Sequence, residues 1–209
     1  MTDPGRVLVL GVGNLLWADE GFGVRCVEEF ARQWEVPAAV ELMDGGTQGL
    51  YLVQHIADAD RVLVFDAVDF GAPAASMVVV RGAEVPSFIA LGKMSLHQAG
   101  VADVLACAEL LGRKPAALTV IGAQPVELED YGGSLTPLIR ALVPQAVALA
   151  AEELRGWGVA LAPRAGGGPG LLVPALAIDA YERGRPSADA ACRIGDARVL
   201  AAASRFEGH

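Results

Sequence analysis

The chain has 209 residues, 53% of them hydrophobic, and a formal net charge of −9. That length and apolar content suffice for one substantial core, so a single domain with an appendage is expected rather than two equal domains. The 16 Lys and Arg are scattered among 25 Asp and Glu, which excludes a nucleic-acid surface, because phosphate neutralisation needs clustered cations. No basic segment followed by a long apolar stretch opens the chain, and no apolar run approaches the roughly eighteen residues of a membrane span. Neither a signal peptide nor a span is expected, and the chain reads as cytoplasmic. Cys26, Cys107 and Cys192 are far apart and odd in number, which fits reduced thiols better than a disulfide framework or a thiolate zinc site.

In chain order, residues 7–10 read as a buried strand, followed by Gly11-Val12-Gly13-Asn14-Leu15-Leu16-Trp17-Ala18-Asp19-Glu20-Gly21-Phe22-Gly23. Val24, Val27, Phe30, Ala31 and Trp34 recur at helical spacing, so an amphipathic helix is expected over residues 22–34. Residues 39–43 form a second strand that runs into Asp44-Gly45-Gly46-Thr47, and a short helix through Ile56 leads back. Residues 61–66 are the clearest strand, an apolar run ending in Asp66, and residues 67–73 read as a loop because they contain Gly and Pro. Residues 76–81 form a fourth strand, a candidate antiparallel edge, because the link from the third is too short for a helical crossover.

A loop through Pro86 and Lys93 leads to Ser95-Leu96-His97-Gln98, and a helix over residues 98–111 follows with Ser95 as a candidate cap. Residues 118–122 make a fifth strand that opens into Ala123-Gln124-Pro125-Val126-Glu127. A long helix over residues 135–155 is expected, capped by Ser134 or Thr136, with Pro137 in its first turn and a bend at Pro144. These alternations predict an α/β fold over residues 1–160: a three-layer α/β/α arrangement around a mostly parallel, twisted, five-stranded sheet. Residues 161–209 read as a Gly/Pro-rich linker, centred on 163–170, and a tail with one apolar patch and no site-like cluster, which either packs on the domain or remains mobile.

In such sheets ligands bind beyond the carboxyl ends of the strands. Glycines at 11, 13, 21 and 23 are expected to let the backbone turn sharply and a partner approach closely. Glu20, Asp66 and His97 are expected to converge at this edge, where two carboxylates and an imidazole suit a divalent transition metal such as nickel or zinc better than calcium or magnesium. Each also has a local reading: Glu20 as a helix N-terminal charge, Asp66 as a turn cap, His97 as a packed or solvated histidine. Asp44, Gly45 and Thr47 either line a substrate cleft or form an ordinary capped turn. Asp69 and Gln124 read as loop and turn residues, His55 as a surface or packing residue, and Trp17 as a core aromatic with substrate contact as the alternative. A dinucleotide fingerprint is weak, since Gly11-x-Gly13 lacks a glycine at 16 and Asp19-Glu20 would oppose a pyrophosphate. No His-Glu-x-x-His, no Gly-x-Ser-x-Gly and no Cys beside a His occurs.

Taken together, the 11–23 loop, Asp44-Gly45-Gly46-Thr47-Gln48-Gly49-Leu50, Phe65-Asp66-Ala67-Val68-Asp69 and Ser95-Leu96-His97-Gln98 resemble, in order and spacing, the nickel-iron hydrogenase maturation endopeptidases of the HupD/HyaD/HybD type. The resemblance covers roughly residues 6–157, and the tail resembles that of members serving membrane-bound uptake hydrogenases. It implies an endopeptidase, of a family often classed as aspartic-type, that removes a C-terminal extension from the hydrogenase large-subunit precursor after nickel insertion. It also implies that Glu20, Asp66 and His97 touch the nickel carried by that substrate, that other divalent metals can occupy the site, and that the free enzyme is monomeric. Asp66 or Asp19 would activate water, or the metal would polarise the scissile carbonyl. A non-proteolytic nickel-dependent assembly factor and a nucleotide-dependent oxidoreductase are the alternatives.

Overall fold

Three largely apolar runs of the sequence lie side by side as parallel strands, since strands covered on both faces have no use for polar side chains, and a fourth, more polar parallel strand forms one edge. The computed structural model describes residues 3–91, 93–94 and 101–185. Strands β1 (Val7–Val12), β3 (Val40–Gly46), β4 (Arg61–Asp69) and β7 (Ala117–Ala123) run parallel in the order β3-β1-β4-β7, and β5 (Met77–Arg81) closes the edge antiparallel to β7. The expected five-stranded, mostly parallel sheet with one antiparallel edge is what forms.

Because side chains alternate along a strand, each strand feeds two cores. Val7, Val9, Leu63, Phe65 and Ile121 pack under α1 (Phe22–Gln33) and α5 (Pro137–Gly156). Leu8, Leu10, Val62, Val64 and Val120 pack on the other face, under α2 (Val53–Asp58), α3 (Val85–Leu91) and α4 (Val101–Leu110). The Thr136 hydroxyl caps α5 by accepting from Ile139 N, and Pro137 opens the helix where its missing N–H is not needed.

Several elements depart from the sequence reading. Strand β4 does not end at Asp66: Ala67 pairs with Ala123, and Val68–Asp69 pair antiparallel with β6 (Lys93–Met94). Strand β3 likewise runs on through its glycines. The stretch read as a loop at Pro86 contains α3, with proline tolerated in the first turn and Val85 and Ile89 buried one turn apart. The supposed linker is seated on the domain: β2 (Trp34–Glu35) pairs with β8 (Ala162–Pro163), and a short helix α6 (Ile178–Gly184) packs beyond it. Cys26 is buried and free, Cys107 is free and half-buried, and Cys192 and His209 lie outside the described residues. No helix among the described residues is long and apolar enough to cross a membrane.

Helix α1 sits on the sheet through glycine. A Cβ on Gly23 would overlap the carbonyl oxygens of both Val12 and Phe65, and one on Gly11 would overlap the Gly23 carbonyl. The glycines expected to admit a partner instead admit the chain itself. Gly23→Ala is expected to destabilise the protein by about 3 kcal/mol or more in urea unfolding, because backbone on two strands must move. Gly156→Ala, where a Cβ meets nothing within 4 Å, is the matched control and is expected to be neutral or stabilising by up to about 1 kcal/mol.

Candidate active site

The turn after β1 places two adjacent carboxylates inside the protein. Ala18 at φ 43° and Gly13 at φ 133° bend the chain back on itself, and a Cβ on Gly13 would overlap the Glu20 carbonyl oxygen. A single 3-10 turn, Ala18–Gly21, then runs into α1. Asp19 is 0% exposed and Glu20 2%.

Asp19 is saturated. Its Oδ2 accepts from Val126 N and Glu127 N at 2.9 Å each and from Thr136 Oγ1 at 3.2 Å, and its Oδ1 accepts from Thr136 N at 2.7 Å. Hydrogen bonds to an ionised carboxylate are short and roughly twice as strong as neutral ones. They tie the 126–136 segment, which links β7 to α5, onto the turn after β1. Trp17 adds to the joint by bridging to Tyr131 and Gly133, with its ring edge-on to Tyr131 at 5.1 Å. Trp17 is thus half-buried between two loops, while Leu16, Val126 and Tyr131 beside it are exposed.

Asp66 is the opposite case. It follows Val62 and Val64 on the same face of β4, opposite Gly122 on β7 and one residue beyond the Gly11–Phe65 pair that ends the ladder with β1, and is 0% exposed. Neither of its carboxylate oxygens has a hydrogen-bond partner of standard geometry among the described residues. Burial holds this carboxyl well above the usual carboxylate range, the adjacent Ala67 amide works against the shift, and the charge of nearby Glu20 adds to it. Glu20 and Asp66 therefore share one desolvated spot at the carboxyl end of the sheet.

The rest of the edge is built around that spot. Asp44 pairs with Gly11 across β3 and β1, accepts from Gly46 N at 2.9 Å, and is held up by burial, with the Gly46 amide and Arg25 lowering its carboxyl and Glu28 raising it. Gly45 is buried against Leu10, and Thr47 is exposed. Gln124, read as a turn residue, is a clamp: its Oε1 accepts from Phe70 N and Ala72 N and its Nε2 donates to Asp69 Oδ1 at 3.0 Å, which holds the extended end of β4. The available signal was a lone polar amide directly after an apolar strand. His55 lies apart, on the surface 3.4 Å from Glu41.

His97 lies outside the described residues. The described chain reaches this edge at Met94, opposite Val68 on β4. Among the described residues no three His, Cys, Asp or Glu side chains form a metal-holding group, so the structure brings together two of the three expected ligands. A desolvated carboxylate is costly, and the cost is reduced by a proton or by a cation supplied from outside.

The fold is a three-layer α/β/α sandwich with buried carboxylates at the carboxyl edge of its sheet, and proteins of known class share it. Residues 24–153 match the family model HycI, hydrogenase maturation protease. The hydrogenase expression/formation protein HupD of Rhodobacter capsulatus is 55% identical over 97% of this chain and 96% of its own length. The hydrogenase 2 maturation protease of Escherichia coli is 40% identical over 76% of this chain and 96% of its own. The solved structure of the hydrogenase maturating endopeptidase HybD from E. coli superposes with a TM-score of 0.71 and 39% identity, covering 76% of this chain and 98% of that one. This chain belongs to the hydrogenase maturation protease family and is a peptide hydrolase.

The two aspartates are expected to answer mutation with opposite signs. Asp19→Ala leaves three amides and a hydroxyl without their acceptor and is expected to cost about 3 kcal/mol or more in unfolding experiments. For Asp66, the folded-state pKa lies above the unfolded one, so the folded protein holds an extra proton and loses stability as pH rises from about 4 until the folded group ionises. Asp66→Asn is therefore expected to melt at a higher temperature than wild type at neutral pH in chelator, with the gap closing towards about pH 4.

Proposed function

We propose that this enzyme removes a C-terminal extension from a nickel-iron hydrogenase large-subunit precursor after nickel insertion, and that it recognises the inserted metal directly. The observation that carries the reading is Asp66, a fully buried carboxylate whose oxygens have no hydrogen-bond partner of standard geometry among the described residues, set beside Glu20. A site that is unfavourable when empty and anionic when charged is shaped to receive a cation. Nickel is here part of the substrate. Glu20 and Asp66, with His97 as the nitrogen donor, are the ligands assigned to it, and this mixed oxygen and nitrogen set suits a borderline metal. Other divalent ions of similar preference would occupy the same ligands.

Docking through the metal makes proteolysis conditional. A precursor without nickel offers no cation to the buried Asp66 carboxyl beside Glu20, so both the attraction and the relief of its desolvation are lost and that substrate is rejected. Asp66 is also the carboxylate we assign to water activation, because it has oxygens to spare. Asp19, whose oxygens are engaged by four donors within the fold, is assigned to holding the loop instead. Asp44, Gly45 and Thr47, along the neighbouring strand end, form the wall on which the peptide beyond the metal would lie. The same reading takes the free enzyme as a cytoplasmic monomer.

Intact mass spectrometry of the precursor tests this. Nickel-loaded precursor incubated with the enzyme is expected to lose a C-terminal peptide, and nickel-free precursor to stay whole. Glu20→Gln, Asp66→Asn and His97→Ala are each expected to slow cleavage by about a hundredfold or more, the scale of removing a group that acts in the transition state. A stable complex with unchanged precursor mass would instead make the protein an assembly factor, and equal cleavage of nickel-free precursor would remove the metal gate.

A further inference from the structure

The segment after α5 returns along α1 and ends against the loop that Asp19 holds. Its contacts run backwards along the helix: Arg164 N donates to Gln33 O, Gly168 N to Arg32 O, Leu171 N and Leu172 N to Glu28 Oε2, and Arg25 donates to Leu176 O. The segment is thus antiparallel to α1 and climbs from the far end of the sheet to the carboxyl edge. It is closely fitted. Glu28 is only 6% exposed and Arg25 5%, two charges on α1 that are buried because this segment covers and pairs them. A Cβ on Gly170 would overlap the Glu28 carboxylate.

At the edge, α6 meets the 126–136 loop from its outer side. Arg185 Nη2 pairs with Asp130 at 2.6 Å, with both side chains about a quarter exposed, and Ser134 Oγ donates to Glu182 at 2.8 Å. Arg140, in the first turn of α5, donates to both oxygens of the same Glu182. Asp19 grips this loop at its two ends, Val126–Glu127 and Thr136. The α6 contacts grip it between them.

We propose that residues 164–185 are a brace for the active site, and that Asp130 and Arg185 are positioning residues which set the placement of Glu20 through the loop and Asp19. The inference rests on the reading of Glu20 and Asp66 as the working site. Breaking the Asp130–Arg185 pair leaves the buried residues of both cores in place, since of the brace only Ile178 packs against one of them, but loosens the middle of a loop that is bonded to the residue before Glu20 and is otherwise held there by Trp17. The effect is then local opening, which exchange resolves from global unfolding.

The test is hydrogen exchange on the full chain, read beside precursor cleavage, for Arg185→Ala, Asp130→Asn and Arg185→Lys. Arg185→Ala and Asp130→Asn are each expected to speed exchange of the Val126, Glu127 and Thr136 amides about tenfold, with the amides of β1 and β4 unchanged. Cleavage is expected to lose about tenfold in kcat with KM within about twofold, and Arg185→Lys to recover both readouts. Wild-type exchange at these three amides in both variants would overturn the brace, and so would equal acceleration across the sheet. If the wild-type enzyme leaves the nickel-loaded precursor intact, the reading of the site fails, while the exchange comparison still decides whether the segment orders the loop.

Discussion

One carboxylate joins the two loops on which the site depends. Asp19 has no access to solvent and spends both oxygens on donors from a segment more than a hundred residues away. Without that joint, the turn after β1 and the β7–α5 connection would be two independent surface loops, and loops are ordinarily the mobile part of a fold. With it, Glu20 is carried on backbone fixed from three sides: by Asp19, by the glycine contacts that seat α1 on the strands, and by Trp17 bridging to Tyr131 and Gly133. Precise placement matters because a catalysed reaction such as peptide cleavage loses about a hundredfold in rate with a displacement of about an ångström.

Asp66 shows the other use of a buried acid. The fold satisfies Asp19 completely and leaves Asp66 with no hydrogen-bond partner of standard geometry among the described residues, at a position where β4 is covered on both faces. A protein selected for stability alone would place an apolar residue there, as it does two and four positions earlier at Val64 and Val62. Retaining a carboxylate that opposes folding makes sense when its partner arrives with the substrate, so that binding energy includes relief of a penalty already present in the free enzyme. On the proposed function, specificity for a metal-bearing substrate would follow from the empty state being unfavourable, with no separate discriminating device.

Much of this was legible from residues alone, and the gaps have physical causes. Apolar runs marked the parallel strands, and the short link before residue 77 marked the antiparallel edge. The end of β4 was misjudged because Ala67 to Asp69 are held by partners distant in sequence, Ala123, β6 and Gln124, while the local signals, Gly71 and Pro73, spoke only for a loop. Helix α3 was hidden by Pro86, which a first helical turn accepts. The sequence left open whether the segment after residue 170 packs on the domain, and its seat was not visible because Arg25 and Glu28 look like an ordinary solvated i, i+3 pair until another segment covers them. Most instructive is the pair Asp19-Glu20: adjacent residues of the same charge point in different directions, and which one is scaffold depends on whether backbone donors from Val126 and Thr136 reach it. Asp66 stood out in the sequence because a carboxylate at the end of an apolar run has few structural uses, and the structure shows it buried.

Anomalous diffraction from crystals of the full chain soaked in Ni²⁺ or Cd²⁺ is the most direct measurement. The expected result is one strong peak between Glu20 and Asp66 at the carboxyl end of β4, at about 2.0–2.4 Å from a carboxylate oxygen of each and within reach of the imidazole of His97. No peak there at millimolar metal, or density bound by other side chains while Asp66 stays unliganded, would contradict the assignment of this buried carboxylate pair to metal recognition.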